Sequence, residues 1–296
     1  MTSSDLPKQA TVTELQKSNP SAIVELFEIH LDQRLHYADW QANTAYIAGD
    51  TVSSTGLIFE ANTTDLLPPT PMVFECTSGG TSGGSLPTFH SSGSALSGQI
   101  TNGATVTDNN ITWTAKRAVK RFHAGTNLKT TSSLQDASIH FAGKVYEPFP
   151  VKAEGFDMSS KGSLPRPRLT ISNLSPSLAS TFTIAEGGSA LPSGTISSML
   201  MEVNKVTVGN DLIGSTLVYI TTLKKFLDNE NFDSTNSTAD DTQKFPDKVF
   251  MIARKVVENQ EMVQFECAMR MDMAGVRGPK RQVLPNEFPG IGEFFQ

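Results

Sequence analysis

The sequence predicts a mainly β protein, a sandwich or barrel with one or two helices, interrupted by a small β module. Three observations carry that reading. Apolar residues recur at every second position over several runs, which is the periodicity of half-buried strands. Clusters of glycine, proline, serine and asparagine separate those runs, and only short stretches keep helical spacing. Finally, the window 41–115 holds five acids, Asp50, Glu60, Asp65, Glu75 and Asp108, and no lysine or arginine, in a chain whose net charge is −6. That shift in character marks a separate module.

Taken along the chain, 11–18 is a short helix candidate stopped by Asn19-Pro20, because proline disfavours helical backbone in the residue before it. Residues 22–31 alternate, with Ile23, Phe27, Ile29 and Leu31 on one face and Glu28 and His30 on the other. Inside the acidic window, strands are predicted at 46–52, 57–61, 73–76, 105–107 and 111–114. They surround a Gly/Ser-rich segment, Thr77 to Pro87, that suits only turns and loop. Trp40 and Trp113 stand at the two ends of this window. Further on, 169–174 reads as a short strand, and 195–205 places Ile196, Met199, Leu200 and Val203 at helical spacing. Long strands follow at 217–227 and 248–258. Residues 261–271 then alternate Val263, Phe265, Cys267, Met269 and Met271 against Gln264, Glu266 and Arg270, with Asn259-Gln260 as the hairpin turn. The polar segment 229–244 is expected to be a mobile loop.

Composition narrows the function classes. At 296 residues the chain holds one large domain or two of ordinary size. Charged content of 18% is low for a soluble enzyme, and the net charge argues against a protein that grips nucleic-acid phosphates, so no sequence-specific nucleic-acid partner is expected. No apolar run approaches the roughly 20 residues that span a bilayer. The N-terminus, Met1-Thr-Ser-Ser-Asp5, lacks the basic and apolar blocks of a secretory signal; cytosolic synthesis with Cys76 and Cys267 reduced is the expectation. Those cysteines match no metal or redox spacing, and His30, His36, His90, His123 and His140 never fall at short ligand spacing. No metal site is expected. Neither a Gly-x-Ser-x-Gly elbow nor a P-loop is present, so no catalytic residue is assigned and the chain reads as a non-enzyme.

The most informative stretch runs from Tyr146 to Leu174: Tyr146-x-Pro148-Phe149-Pro150, Gly155-Phe156, Lys161-Gly162, then Arg166-Pro167-Arg168-Leu169-Thr170-Ile171-Ser172-Asn173. It resembles the minor tail protein L family of lambda-like long-tailed phages. The similarity continues in order through Asp211-Leu-Ile-Gly-Ser-Thr-Leu-Val218, Phe226-Leu-Asp228 and Leu284-Pro-Asn-Glu-Phe-Pro-Gly290, and reaches back to Val24–Leu31. The resemblance implies a tail-tube-like β domain over 1–35 and 119–296, located at the virion tail tip after synthesis in the host cytoplasm. Its implied role is a homo-oligomeric ring in the tail tip, or baseplate, contacting the tail tube, distal-tail and hub proteins, with six copies favoured over three. Arg166 and Arg168 in the motif, with Lys224 and Lys225, are the candidate interface residues. Lambda-type relatives continue into a cysteine-bearing domain associated with an iron–sulfur cluster. Here the sequence stops six residues after Gly290, and four thiolates are the usual minimum for such a cluster, so the cluster is expected to be absent.

The segment 36–118 has its own likeness. Trp40, Thr44, Tyr46, Gly49-Asp50 and Val52, followed by Phe74-Glu-Cys-Thr77, Pro87-Thr-Phe89 and Val106–Ala115, resemble small β modules of phage tails and, at the start, chitin-binding-type carbohydrate modules. Exposed aromatic faces in such modules stack on sugar rings. Trp40, Tyr46, Phe74, Phe89 and Trp113 are the candidate glycan-stacking residues, and a host surface glycan the candidate ligand. The alternative for the same rings is the core of a small domain without disulfides. Rival functions are a carbohydrate-binding or carbohydrate-degrading protein, or a host receptor-binding protein. Hydrolysis would require two opposed carboxylates, and no such pair stands out.

Overall fold

A computed structural model describes residues 8–54, 56–61, 69–89, 98–124, 138–157, 165–172 and 209–272. The predicted helix at 195–205 lies outside them. The protein is mainly β, and among the described residues it has two short α-helices, α1 (Gln9–Leu15) and α2 (Gln33–His36). In chain order the strands are β1 (Ile23–His30), β2 (Ala38–Asp39), β3 (Ala45–Tyr46), β4 (Thr51–Ser53), β5 (Phe59–Glu60), β6 (Met72–Ser78), β7 (Gly80–Thr81), β8 (Gln99–Ile100) and β9 (Thr105–Asp108). They continue with β10 (Ile111–Arg117), β11 (Val119–His123), β12 (Ile139–Phe141), β13 (Lys144–Pro148), β14 (Val151–Glu154), β15 (Arg168–Ser172), β16 (Thr216–Leu223), β17 (Lys248–Glu258) and β18 (Met262–Ala268).

Nine strands form one sheet in the order β12-β13-β11-β1-β16-β17-β18-β15-β14. This sheet is open rather than closed into a barrel, with β12 and β14 as its edges among the described residues. It nevertheless curls around one core. Phe122 on β11, Phe27 on β1, Phe250 on β17, Phe265 on β18 and Ile171 on β15 belong to a single buried cluster, and Val151 and Ala153 on β14 pack against it. Alternation explains the two faces. Phe27 and Ile29 enter this core, whereas Leu26 points the other way, into a second cluster with Phe141, Tyr146, Val218 and Ile220.

Residues 38–117 supply a five-stranded sheet, β2-β4-β6-β10-β9, with a third core of its own. Two two-stranded pairs, β3 with β7 and β5 with β8, complete that part. Glycine decides one detail that sequence reading assigned to loop alone. β7 pairs with β3 because Gly79 and Gly80 let the chains approach closely: a Cβ on Gly79 would sit 3.0 Å from the Tyr46 carbonyl oxygen, and one on Gly80 3.1 Å from that of Asn110.

Element ends differ from expectation where side chains intercept the backbone. The strand expected at 217–227 stops at Leu223 and continues as a 3-10 turn, Lys224–Phe226, held by Lys225 N–H donating to Ser21 Oγ at 3.1 Å. The strand expected to Met271 ends at Ala268, before a turn at Arg270–Asp272. Residues 46–52 split into β3 and β4 around Gly49 at φ +99°, where Asp50 accepts from Ile47 N–H at 2.8 Å. The segment expected to be a mobile loop, 229–244, is tied down at several points. Asn236 donates to the carbonyls of Lys225 and Leu227, and Thr222 Oγ1 donates to the Gln243 carbonyl at 2.8 Å.

Candidate assembly surface

On β15 and β18 the inward positions are Leu169, Ile171, Val263, Phe265 and Cys267, all fully buried. Period two therefore sends Arg168 and Glu266 to the opposite face. Register then lines up a row across four strands: Glu154 on β14 opposite Arg168, Arg168 opposite Glu266, and Glu266 opposite Arg254 on β17. Charge alternates along the row. Arg254 Nη2 lies 2.8 Å from Glu266, and Arg166 reaches both Asp272 at 2.8 Å and Glu266 at 3.5 Å. The hydrogen bond from Arg254, reinforced by the two arginine charges, holds the Glu266 carboxyl below its ordinary range. Glu266 is buried beneath Arg166 and Arg254, whose side chains are more than half exposed; such largely exposed arginines add only tenths of a kcal/mol to the sheet and present a patterned surface.

The four candidate interface residues do not share a site. Arg166 and Arg168 belong to this row, and the exposed Lys224 lies on the turn after β16. Lys225 is half-buried, and its Nζ sits 2.9 Å from Glu14 Oε2 on α1, a carboxylate also bound by Lys17 at 2.6 Å, so within the chain this lysine holds the N-terminal helix.

The five candidate stacking residues are brought together, but as core. Trp113 and Phe74 are 0% exposed, Phe89 2% and Trp40 7%; Tyr46 is half-buried, with its ring edge-on to Trp113 at 5.0 Å. Phe74 and Phe89 pack with their rings tilted by 30°, 4.1 Å between centroids. Glycan stacking requires an open ring face, and burial removes it from four of the five. The physical reason is size: a small sheet without a disulfide needs large apolar side chains to bury enough surface. The polar key to this core was missed in the sequence. Asp108 Oδ2 accepts from both indole N–H groups, Trp40 at 2.8 Å and Trp113 at 3.1 Å, while Oδ1 accepts from Gly83 N–H at 2.8 Å.

The acidic window is likewise less negative in effect than in sequence. Arg117 binds Glu60 in a two-pronged contact at 2.7 and 2.8 Å, Lys116 lies 3.8 Å from Glu75, and Asp50 and Asp108 cap backbone and indole donors. Asp65 lies outside the described residues.

Two buried polar centres in the large sheet were also missed, although Glu28 and His30 marked the polar side of the first strand. Glu28, 3% exposed, accepts from Tyr146 Oη at 2.7 Å, Arg121 Nε at 3.0 Å and His30 Nε2 at 2.8 Å, with Lys144 Nζ 3.5 Å away. Burial by itself raises a carboxyl pKa. Here the His30 bond and the Arg121 and Lys144 charges outweigh it and hold Glu28 well below the usual range. Burial, then the adjacent carboxylate, pushes the Tyr146 phenol well up. The first residue of the sequence motif is thus a donor to a buried anion.

The second centre joins His36 to Ser215 at 2.8 Å and to Asn210 at 3.2 Å. It has the outline of a nucleophile and base but the wrong polarity. Burial keeps the imidazole neutral, lowering its pKa to about 4. The Asn210 amide donates to Nδ1, so the proton sits on Nε2 and points at Ser215 instead of accepting from it. All three side chains are buried. The centre fastens the turn before β16 to α2. Asp211, Leu212 and Gly214 have φ of +47°, +64° and +88°, and a Cβ on Gly214 would meet Leu35 Cδ1 at 2.9 Å. Only glycine suits that position.

A cleft of about 450 Å³ separates the large sheet from the 38–117 part, lined by His30, Gln33, Leu57, Phe59, Thr216 and Met251 among others. Its neck is welded: the Gln33 amide donates to the Ile58 carbonyl and accepts from Ile58 N–H, and Ala118 N–H donates to the Pro71 carbonyl at 2.8 Å. Among the described residues no group of three or more His, Cys, Asp or Glu is placed to hold a metal, and no helix is long and apolar enough to cross a membrane. Cys76 and Cys267 are both 0% exposed and lie in different cores. Burial lifts the Cys267 thiol to about 12. This pair does not fit an iron–sulfur cluster.

Comparison with known proteins places these features in context. A family model described as phage minor tail protein L matches residues 112–185 and 179–290, which together cover more than half of the chain. Tail tip protein L of Escherichia phage lambda is 30% identical over 105 residues, covering 36% of this chain and 35% of that protein. The matched region thus spans about a third of that relative's length. The family match begins on β10, so β1 to β9 fall outside it.

Proposed function

Because the chain belongs to the phage minor tail protein L family, we propose that it forms a ring at the tail tip that joins the tail tube to the host-recognition hub. A structural role in the phage tail follows from the family itself. The observation that carries the finer reading is the family match over strands β11 to β18 of the large sheet, whose charge-patterned face carries Arg166 and Arg168 of the sequence motif. Adjacent tail-tube, distal-tail and hub proteins are its partners in this reading, and six copies match a six-fold tube with one tube-type domain per chain. The ring is structural, without enzymatic activity or an iron–sulfur cluster. The experiment is image reconstruction of purified virions with copy number measured by quantitative mass spectrometry. Six copies in a closed ring at the tip support the reading; a protein absent from the tip, or present without cyclic order, overturns it.

Residues 36–118 are read as a module inserted into the tail domain. Their separate sheet and core support this, as does a family match that starts only near their end. The Gln33–Ile58 and Ala118–Pro71 contacts, together with Val73 in the main core, argue that the module projects in a fixed direction.

A further inference from the structure

The two edges of the nine-stranded sheet are treated differently. At β12 the outward backbone of His140 is occupied: its N–H donates to Asn231 Oδ1 at 2.8 Å, and its carbonyl accepts from Asn231 Nδ2 at 2.6 Å. Asp228 caps the adjoining turn through Ala142 and Gly143 N–H at 3.3 and 2.8 Å. That edge is closed to strand addition.

At β14 the pairing with β15 shows which groups point outward. Ser172 N–H donates to the Pro150 carbonyl at 2.9 Å, and Lys152 is opposite Thr170. In an antiparallel ladder the bonded positions alternate, so residues 150, 152 and 154 bond toward β15 while Val151 and Ala153 turn their N–H and C=O away from it. Among the described residues nothing bonds to those outward groups. Val151 and Ala153 also pack on the main core yet remain half-buried, so among the described residues no strand closes the core along this edge. An open edge of this kind is a template for another strand.

We propose that β14 pairs antiparallel with β14 of a second copy, about a two-fold axis at Ala153. The charges select this occupant. Centred on Ala153, the pairing sets Lys152 opposite Glu154 of the second copy, and the reverse, with no like charges opposed. It also extends the row on the solvent face. Arg254, Glu266, Arg168 and Glu154 alternate across one sheet, and Lys152 of the second copy supplies the next positive charge. Shifting the partner by two residues would place Lys152 opposite Lys152, or Glu154 opposite Glu154, so the charges also fix the register. An isologous contact of this kind is closed and cannot grow into a fibre. The contact does not depend on the tail-tip reading, since it rests on the sheet edge alone. A four-residue edge buries far less than the ~1,200 Å² of a standard interface, so the dimer is weak and forms at high concentration.

Site-specific disulfide trapping with the full chain tests this directly. Opposed residues in a bonded antiparallel pair have Cα atoms about 5.5 Å apart, within disulfide range. Ala153→Cys is therefore expected to give a disulfide-linked dimer on mild oxidation, while the parent protein, whose two cysteines are buried, gives no disulfide-linked dimer. Lys152→Cys alone should link poorly, but an equal mixture of Lys152→Cys and Glu154→Cys should give the mixed dimer. In sedimentation at millimolar protein, Lys152→Glu is expected to lower the dimer fraction several-fold, and Lys152→Glu/Glu154→Lys to restore it. A monomeric Ala153→Cys protein under oxidation overturns the proposal. So does Lys152→Cys linking to itself as well as the mixture does, or a double charge swap that fails to restore the dimer.

Discussion

The nine-stranded sheet and the 38–117 part bury their essential carboxylates in opposite ways. In the large sheet, Glu28 is met by Arg121, His30 and Lys144, so the centre is ionic. In the smaller part, Asp108 is met by two indole N–H groups and a backbone N–H, all neutral donors. The larger core can surround several charges with enough apolar packing to hold them in place. At Asp108 the smaller one uses tryptophan, whose ring fills the core while its N–H satisfies the anion. Stability of the two parts should therefore respond to different perturbations.

The largest effect expected is from Glu28→Ala. Removing the carboxylate leaves Arg121 buried without its main counter-charge and the Tyr146 hydroxyl without an acceptor, a loss on the order of 3–5 kcal/mol. Urea unfolding followed by far-UV circular dichroism checks this. Tryptophan fluorescence should change less at low urea, because both indoles report only on the smaller part. A shift under 1 kcal/mol would mean that the centre contributes little.

Acid should distinguish the two parts next. His36 is neutral in the fold, with its pKa lowered from 6.5 to about 4 by burial. The unfolded chain binds a proton below its own value of 6.5 while the folded chain does not, so stability is fully present above pH 6.5 and falls as the pH drops toward 4. At about 1.4 kcal/mol per pH unit the loss reaches about 3 kcal/mol. Glu28 adds a second loss at lower pH: its folded pKa lies well below 4.5, so its contribution persists above 4.5 and disappears as pH falls further. His36→Gln should flatten the slope between pH 6.5 and 4 in thermal unfolding curves and leave the steeper decline below 4.5. An unchanged slope would assign it to other groups.

In the smaller part, Asp108→Ala leaves two indole N–H groups buried without their acceptor, at about 1–3 kcal/mol. Both tryptophan emission bands should shift at modest urea while the large sheet keeps its circular dichroism signal. Simultaneous loss of both signals would show that the two parts unfold as one.

Much of this architecture was legible in the sequence. Alternation located β1 and β18, the long-strand expectation at 248–258 matches β17, and the window without basic residues located the second sheet. What stayed hidden has common causes. Asp108 carries no local signature, because its partners Trp40 and Gly83 are far away in sequence. Lys225 looks like any surface lysine until α1 folds back over it. The aromatic residues of 36–118 look alike whether they face sugar or one another, because ring type does not encode which side of a two-residue strand is covered. Gly214 could have been found from the sequence, since a glycine inside an otherwise apolar strand entry signals close approach.

The smallest effect expected is from Arg254→Ala, and its smallness is informative. Arg254 has a side chain 64% exposed, so its bond to Glu266 is largely screened and its removal should cost under about 1 kcal/mol. The same substitution deletes the outermost positive charge of the row that runs to Glu154. If the row serves only the fold of one chain, Arg254→Ala protein should be incorporated into tails as efficiently as the parent. If the patterned face serves contacts between molecules, incorporation should fall several-fold at nearly unchanged stability, and the loss should shrink as salt screens the parent's contact. Counting copies per tail beside a thermal unfolding curve separates the two, because only a contact between molecules can change one measurement without the other.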